Sequence, residues 1–270
     1  MTLLGLAFAG VIGLALGLLG GGGSILTVPV LVYVLGVAAK PAIAMSLPVV
    51  GLTSLVGAAA HWRLGNVRLA TAALFGVLAM GGAFAGAKLS VFLSGAAQLV
   101  LLAVVMLAAA VGMLWTRRDH GRQTGKETPP ARWSLLAPVA VAVGVLTGLV
   151  GVGGGFLIVP ALVLLARVPM RQAVGTSLLV IALNSAAGFG GYIGTIDIDW
   201  AFLARFTAVT IAGALVGSAM ASRVRVTALR RAFAVFLLIV GGVVLYKNRD
   251  ALGIPTRDPA RSDTLTTTIR

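Results

Sequence analysis

Two glycine-rich stretches contain the groups best suited to bind an anion. The first reads GLLGGGGSILTVP (17–29) and the second reads GLVGVGGGFLIVP (148–160). Adjacent glycines disfavour a helix, so we expect a helix to begin just after each run, near Ser24 and near Gly155. The first turn of such a helix has unpaired N–H groups and the positive end of the helix dipole, which favour an anion. The candidate residues are Gly21, Gly22, Gly23, Ser24, Gly153, Gly154 and Gly155.

Hydroxyl and amide side chains in the apolar segment after each stretch form a second candidate set. These residues are Ser46, Thr53, Ser54, Thr176, Ser177, Asn184 and Ser185. Ser46 and Thr53 are seven residues apart, so they lie on one helix face, two turns from each other. Ser177 and Asn184 have the same spacing. For any single residue the alternative is an ordinary hydrogen bond to its own or a neighbouring helix, but the matched set favours donors that complete an anion site.

The composition indicates that membrane helices hold these residues. Of the 270 residues, 59% are hydrophobic and 10% are charged, far from the balance of a soluble protein. Six segments approach the roughly 20 apolar residues that one helical crossing needs. They are 41–60, 69–88, 96–115, 172–192, 200–221 and 232–247. Two further apolar segments, 3–38 and 134–166, are broken by glycine, and each is either two short crossings or one re-entrant pair of half-helices.

A polar and basic segment, TRRDHGRQTGKETPPARW (116–133), interrupts the apolar chain and indicates a linker. The predicted organisation is a first transmembrane repeat (1–115), this linker, a second repeat (134–247) and a polar tail (248–270). The net charge of +14 arises from 21 Lys and Arg against 7 Asp and Glu. Because the basic residues cluster in short loops, membrane topology explains them better than a nucleic-acid partner does.

The two halves repeat each other at a single offset of 131 residues. At that offset Pro29 aligns with Pro160, Ser46 with Ser177 and Ser54 with Ser185. The glycines 20, 22, 23, 57, 82 and 86 also align with glycines, at 151, 153, 154, 188, 213 and 217. Apolar composition alone would not readily align Pro, Ser and this many Gly without a gap. The glycine pairs 82/86 and 213/217, four residues apart, are predicted to be close helix contacts rather than ligand sites.

Matched loops carry opposite charge, which predicts that the halves cross the membrane in opposite directions. The loop HWRLGNVR (61–68) is basic, whereas its partner YIGTIDID (192–199) has two Asp and no Lys or Arg. Further along the first half, the segment 89–115 is uncharged. The region of the second half that aligns with it contains Arg223, Arg225, Arg230 and Arg231. Since Lys and Arg favour the cytoplasmic side, we expect 61–68, the linker 116–133, 167–171 and 223–231 to be cytoplasmic.

The paired glycine stretches, each followed by a small-polar segment (AMSLPVVGLTS and VGTSLLVIALNS), resemble the sulfite exporter TauE/SafE family, also called TSUP. The resemblance spans nearly the whole chain except the tail. It implies a multi-pass transporter of the inner membrane for a sulfur-containing anion such as sulfite, a sulfonate (sulfoacetate) or thiosulfate. The expected fold is an all-α polytopic bundle of two inverted-topology repeats with glycine-broken helices.

The charged residues bear on the transport mechanism. All seven carboxylates lie outside the proposed spans, so a carboxylate proton relay within the membrane is missing. We therefore expect uniport, or a proton carried by the substrate itself. A membrane potential that is negative inside already favours anion export by about 2.3 kcal/mol per charge per 100 mV. His61 could titrate near neutral pH, but its position at a span end beside Trp62 favours an interfacial anchor.

There are three alternatives to export. One is uptake of a related anion, since the sequence gives no direction beyond the voltage argument. Another is a membrane enzyme, which would need polar catalytic groups in the core. The third is a non-transporting membrane scaffold, which would not need matched helix breaks in both halves. The sequence contains no metal-ligand spacing, no catalytic Ser-His-Asp set that could meet in the membrane and no nucleotide-binding lysine after GGGGS. The expected partners are the anion and the lipid bilayer, with no cofactor and an oligomeric state that the sequence leaves undefined.

Overall fold

The computed structural model describes residues 3–19, 21–115, 133–151, 153–164, 166, 168–194, 196, 198–220 and 226–248. Over these residues the chain is all-α, with ten α-helices and no strand, as predicted. The helices are α1 Leu3–Leu19, α2 Thr27–Pro29, α3 Ala39–Arg63, α4 Leu69–Leu89, α5 Gly95–Trp115, α6 Trp133–Val150, α7 Gly155–Leu164, α8 Met170–Tyr192, α9 Trp200–Met220 and α10 Val226–Lys247. Short 3-10 helices lie at Gly22–Leu26 and Ser90–Phe92, and a π-helix lies at Val30–Val34.

Five of the described helices are long and apolar enough to cross a membrane. They are Ala39–Arg63, Leu69–Phe92, Gly95–Gly112, Arg171–Tyr192 and Trp200–Met220. These helices match five of the six spans predicted from apolar run length. The sixth predicted span, 232–247, lies within α10. The chain is therefore an all-α, multi-pass membrane protein.

Each glycine-broken segment consists of one longer and one shorter helix. In the second half, α6 has 18 residues and α7 has 10, so α7 is about 15 Å long, half of the roughly 30 Å hydrocarbon layer. In the first half, α1 is followed by a continuous helical run in which 3-10, α and π geometry succeed one another from Gly22 to Val34. The two arms of each segment are thus unequal in length, and the choice between two short crossings and a re-entrant pair stays a prediction.

Glycines hold helices of opposite halves in backbone contact. A side chain on Gly13 of α1 would collide with the Thr210 carbonyl of α9, and one on Gly144 of α6 would collide with the Ala79 carbonyl of α4. The two contacts are equivalent, because Gly13 aligns with Gly144 and Ala79 aligns with Thr210 at the same 131-residue offset. The contacts of Gly17, Gly82 and Gly86 have counterparts at Gly148, Gly213 and Gly217. The prediction of close helix contacts at 82/86 and 213/217 is confirmed, whereas the inverted orientation of the halves stays a prediction.

Two adjacent glycines on α4 test this packing directly. A methyl group on Gly82 would collide with the Val141 carbonyl, whereas one on Gly81 would meet nothing within 4 Å. We expect Gly82→Ala to lower the free energy of unfolding by about 1–3 kcal/mol through overpacking. Gly81→Ala should leave it unchanged or raise it by about 0.5–1 kcal/mol. Thermal unfolding of the purified variants measures both, and equal melting temperatures would contradict the contact.

The centre of the bundle is the antiparallel contact between α3 and α8. Methyl carbons placed on Gly51 and Gly57 would lie 3.0 Å from Ser185 Cβ and 3.2 Å from Leu178 Cδ1, respectively. One placed on Gly188 would lie 3.4 Å from Leu47 Cδ1. This register centres the contact at positions 52 and 183, which are themselves 131 residues apart. Four of the candidate polar residues therefore lie within two positions of the centre.

Candidate functional site

The second glycine break has a backbone that only glycine adopts readily. Gly151, Gly153 and Gly154 have φ angles of 72°, 57° and 67°, in the left-handed region that a Cβ atom disfavours. The turn ends where the N–H groups of Leu157 and Ile158 both donate to the Gly154 carbonyl at 3.0 Å, which begins α7. Helix α7 starts at Gly155, as the sequence predicts.

The first break has a different backbone although its glycines align with those of the second. Gly21 has a φ of −99°, and a 3-10 helix begins at Gly22, two residues before the predicted position at Ser24. Ser24 Oγ donates a hydrogen bond to the Gly21 carbonyl at 2.7 Å. The residue aligned with Ser24 in the second half is Gly155, which has no side chain to make this bond. The two halves thus differ at the break itself.

The structure brings the two breaks into direct contact. A side chain on Gly21 would overlap the backbone of Gly155, and a side chain on Gly155 would overlap Gly21. Gly153 packs between Val50 of α3 and Ile181 of α8, and a methyl carbon on it would lie 2.6 Å and 3.1 Å from their side chains. Positions 50 and 181 are equivalent in the two halves, so the break lies over the centre of the α3–α8 contact.

One turn from this contact lie four candidate side chains with unsatisfied polar atoms: Thr53, Ser54, Asn184 and Ser185. All four are fully buried. Within the part of the chain that the structure describes, their hydroxyl and amide groups have no hydrogen-bond partner. Thr53 aligns with Asn184 and Ser54 with Ser185, so both halves contribute equally. Unpaired buried polar groups cost about 1–3 kcal/mol each, which calls for a functional explanation.

The other candidate hydroxyls are already hydrogen-bonded within the protein. Ser46 Oγ donates to the Ile43 carbonyl at 2.6 Å and also reaches the Gly151 carbonyl of the second break. Ser177 Oγ donates to the Val174 carbonyl at 2.8 Å. Ser46 therefore holds the second break in place, and Ser177 stabilises its own helix, α8.

Thr176 lies towards one end of the bundle rather than at its centre. Its hydroxyl oxygen accepts the backbone N–H of Arg68 at 3.0 Å, and Arg68 Nε donates to Gln172 Oε1 at 2.6 Å. The loop after α3 and the start of α8 therefore share one end of the bundle. A role for Thr176 and the other hydrogen-bonded residues in binding substrate stays a prediction.

The charges of the described residues lie at the two ends of the bundle. Arg63, Arg68 and Arg171 are exposed at the end that holds the 64–68 loop. Asp199, the only carboxylate among the described residues, is exposed and accepts the Phe202 N–H at 2.9 Å. Within the described ranges, no group of three or more His, Cys, Asp or Glu is placed to hold a metal ion. A central ligand would therefore meet hydroxyl, amide and backbone groups.

Five polar residues with buried, unpaired atoms were missed or misjudged from the sequence. Thr27, Gln98, Thr207 and Ser218 have side-chain oxygens without a partner in the described structure. Gln98 is the only amide or hydroxyl residue in α5, a signal that could have singled it out. His61, interpreted as an interfacial anchor, is only 6% exposed, whereas its neighbour Trp62 is 58% exposed.

The long apolar helices and the glycine breaks meeting at the centre place the protein among multi-pass α-helical membrane proteins. Comparison with known proteins identifies the family. The family model for sulfite exporter TauE/SafE matches residues 5–244. The chain belongs to this family of membrane transporters.

Curated relatives support this assignment. Two probable membrane transporter proteins of Xylella fastidiosa, from strains Temecula1 and 9a5c, are 33% and 35% identical over 249 and 254 residues. Each alignment covers 88% of this chain and 93% of the relative. The probable membrane transporter protein YdhB of Bacillus subtilis is 27% identical over 241 residues, 87% of this chain and 96% of the relative. No solved structure matches the chain significantly.

Proposed function

We propose that this transporter exports a small sulfur-containing anion such as sulfite, sulfoacetate or another organosulfonate, or thiosulfate. The observation that carries the proposal is the set of buried donors that have no partner among the described residues, at Thr53, Ser54, Asn184 and Ser185. They lie at the α3–α8 centre, one turn from the point where the second glycine break packs. Glycine-broken helices at matching positions of two repeats are the expected location of a transporter's binding site.

The chemistry of these donors suits a small oxyanion. Three hydroxyl groups and one carboxamide supply O–H and N–H donors without a fixed positive charge, and hydrogen bonds to a charged partner are worth about 1.5–3 kcal/mol each. The backbone N–H groups at the starts of the two short helices add donors and the favourable end of a helix dipole. A site of neutral donors binds an anion without retaining it, which transport requires.

We expect uniport, or a proton carried by the anion itself, across the inner membrane. The contact between the 64–68 loop and the start of α8 supports the proposed common side of the basic loops 61–68 and 167–171, which we assign to the cytoplasm with the linker 116–133. A negative interior then favours export by about 2.3 kcal/mol per charge per 100 mV.

The decisive experiment is binding and flux with the purified protein. In proteoliposomes we expect sulfite, sulfoacetate or thiosulfate to move with the electrical potential, and sulfate to serve as the comparison anion. Mass spectrometry of the recovered anion separates transport from catalysis, because a membrane enzyme would alter it. Reversing the potential should reverse the direction of the flux, as uniport requires. Absence of binding by all four anions would contradict the proposal.

A further inference from the structure

Two ring side chains occupy equivalent positions at the C-terminal ends of the two central helices, α3 and α8. Tyr192, the last residue of α8, donates its hydroxyl hydrogen to the Gly148 carbonyl at 2.9 Å. The residue 131 positions earlier is His61 in the last turn of α3, and the backbone of Gly17 lies beside its ring. Gly17 is in turn 131 positions before Gly148. Both carbonyls belong to the last turn of a helix that ends at a glycine break.

The two positions differ in whether the hydrogen bond is formed. The Tyr192 bond is made, whereas neither ring nitrogen of His61 has a partner at hydrogen-bonding distance and angle within the described structure. His61 is nevertheless 94% buried, being 6% exposed. The last carbonyls of a helix lack partners within that helix. The histidine ring thus lies beside an acceptor that its counterpart in the other half already uses.

We propose that His61 is a proton-binding site and that the protonated ring closes a latch on the C-terminal end of α1. The His61 latch is defined as the hydrogen bond from the imidazole to the Gly17 carbonyl. Closing it would hold α1 against α3 at the end of the bundle that contains the 64–68 loop. The structure then represents the state with the Tyr192 bond closed and the His61 latch open.

The chemistry of the ring favours closure on protonation. Histidine is the side chain whose ordinary pKa allows its charge to change between about pH 5 and pH 8. The neutral ring has one N–H donor and the protonated ring has two. A positive charge is stabilised at the C-terminal end of a helix, where Gly17 lies, and its hydrogen bond is stronger than that of a neutral donor.

The polar groups near the ring are neutral backbone and hydroxyl groups. From α1 the ring faces the backbone of Gly17. Ser218 of α9, whose Oγ also lacks a partner in the described part of the chain, lies against Gly17. From α8, Gly175 packs against the base of the side chain: a methyl carbon on Gly175 would lie 3.0 Å from His61 Cβ and would also meet the carbonyl of Asn66. These groups are acceptors or small residues that do not compete for the proton.

The described charged and titratable groups on the elements that pack around His61 are exposed or already bonded. Arg171 of α8 is exposed, and Arg68 of the adjoining loop is bound to Gln172. Arg205 of α9 lies nine residues before Ala214, which contacts Gly17, or about 14 Å along the helix. Tyr33 accepts a hydrogen bond from Asn248 and lies under Lys247. Arg63, two residues after His61, is exposed.

Thiol labelling tests the latch without any transported anion. The chain has no cysteine, so Thr53→Cys provides a single reporter at the centre of the bundle. A positively charged, membrane-impermeant methanethiosulfonate is applied from the side of the 64–68 loop. Near pH 5.5 we expect the Thr53→Cys protein to be labelled about tenfold more slowly than the double variant Thr53→Cys, His61→Leu. A tenfold effect lies within the range of stabilisation that a cation gives at a helix C-terminus. Near pH 8 the two rates should agree, and comparison at the same pH cancels the reactivity of the thiol itself.

Three further variants separate a latch from a packing effect. His61→Gln, which is neutral at every pH and keeps a donor, should label without pH dependence relative to His61→Leu. His61→Tyr copies the Tyr192 position and should label slowly at both pH values. Tyr192→Phe removes the bond in the other half and should keep the pH dependence of the parent. Three results would each overturn the proposal. They are a parent rate, relative to His61→Leu, that is equal at both pH values; absence of labelling near pH 8; and a pH dependence that survives in His61→Gln. Because no anion is present, these results do not depend on the substrate assigned above.

Discussion

Replacing Gly155 with alanine is expected to abolish transport and to leave little folded protein. The new methyl group would overlap the backbone of Gly21 and the side chain of Ile181, so the two breaks could no longer touch. Overpacking of this kind costs about 1–3 kcal/mol, occasionally more. Here a backbone segment rather than a flexible side chain would have to move. Transport in proteoliposomes and the thermal unfolding midpoint measure the two effects separately.

The matched control is Gly190→Ala in α8, where a methyl group would meet nothing within 4 Å. This variant should transport at the parental rate, with a gain in stability of at most about 1 kcal/mol. Gly21→Ala should reproduce the defect of Gly155→Ala, because each residue is the other's contact. Parental transport by either Gly21→Ala or Gly155→Ala would mean that contact between the breaks is dispensable.

The helices and their glycine contacts could be predicted from the sequence because a membrane leaves few choices. Lipid cannot satisfy backbone polar groups, so a sufficiently long apolar run must be a helix. Glycines four residues apart form a smooth stripe, as at Gly82 and Gly86, and the structure places a neighbouring helix against that stripe. Both rules depend only on local spacing, and both gave the observed result.

The conformation of the breaks could not be predicted in the same way. Gly22 and Gly153 align in the repeat, yet Gly22 begins a 3-10 helix while Gly153 is left-handed. The difference depends on neighbours from other elements. Gly153 packs against Val50 and Ile181, whereas Gly23 packs on the backbone of α1 near Leu16. A run of glycine permits either conformation, so the tertiary contacts decide.

The same limit applies to the candidate polar residues. Ser46 and Thr53 lie on one face of α3, but Ser46 reaches the Gly151 carbonyl and Thr53 reaches no acceptor in the described structure. Periodicity identifies which residues share a face. Whether a carbonyl of another segment lies within hydrogen-bond range depends on the packing of the breaks.

Asn184→Leu is expected to change stability and transport in opposite directions, with a more stable protein that binds the anion more weakly. The amide of Asn184 is fully buried and unpaired in the described structure, so an apolar side chain of similar size removes a cost of about 1–3 kcal/mol and should raise the unfolding midpoint. The same change removes a proposed anion donor, a bond worth about 1.5–3 kcal/mol, and should weaken binding roughly 10- to 100-fold. Thr53→Val, the equivalent change in the first half, should give the same pair of effects.

Two serines in the same helices provide the contrast. Ser46→Ala removes the hydroxyl that reaches the Gly151 carbonyl, and leaving that carbonyl unpaired should lower stability by about 1–3 kcal/mol. Ser177→Ala removes a hydroxyl that bonds within its own helix in the described structure and should have a small effect on stability. Binding titrations and thermal unfolding of the four variants distinguish a ligand-binding group from a structural one. A loss of both stability and binding in Asn184→Leu would identify that amide as part of the scaffold, because a group kept for a ligand makes the empty protein less stable.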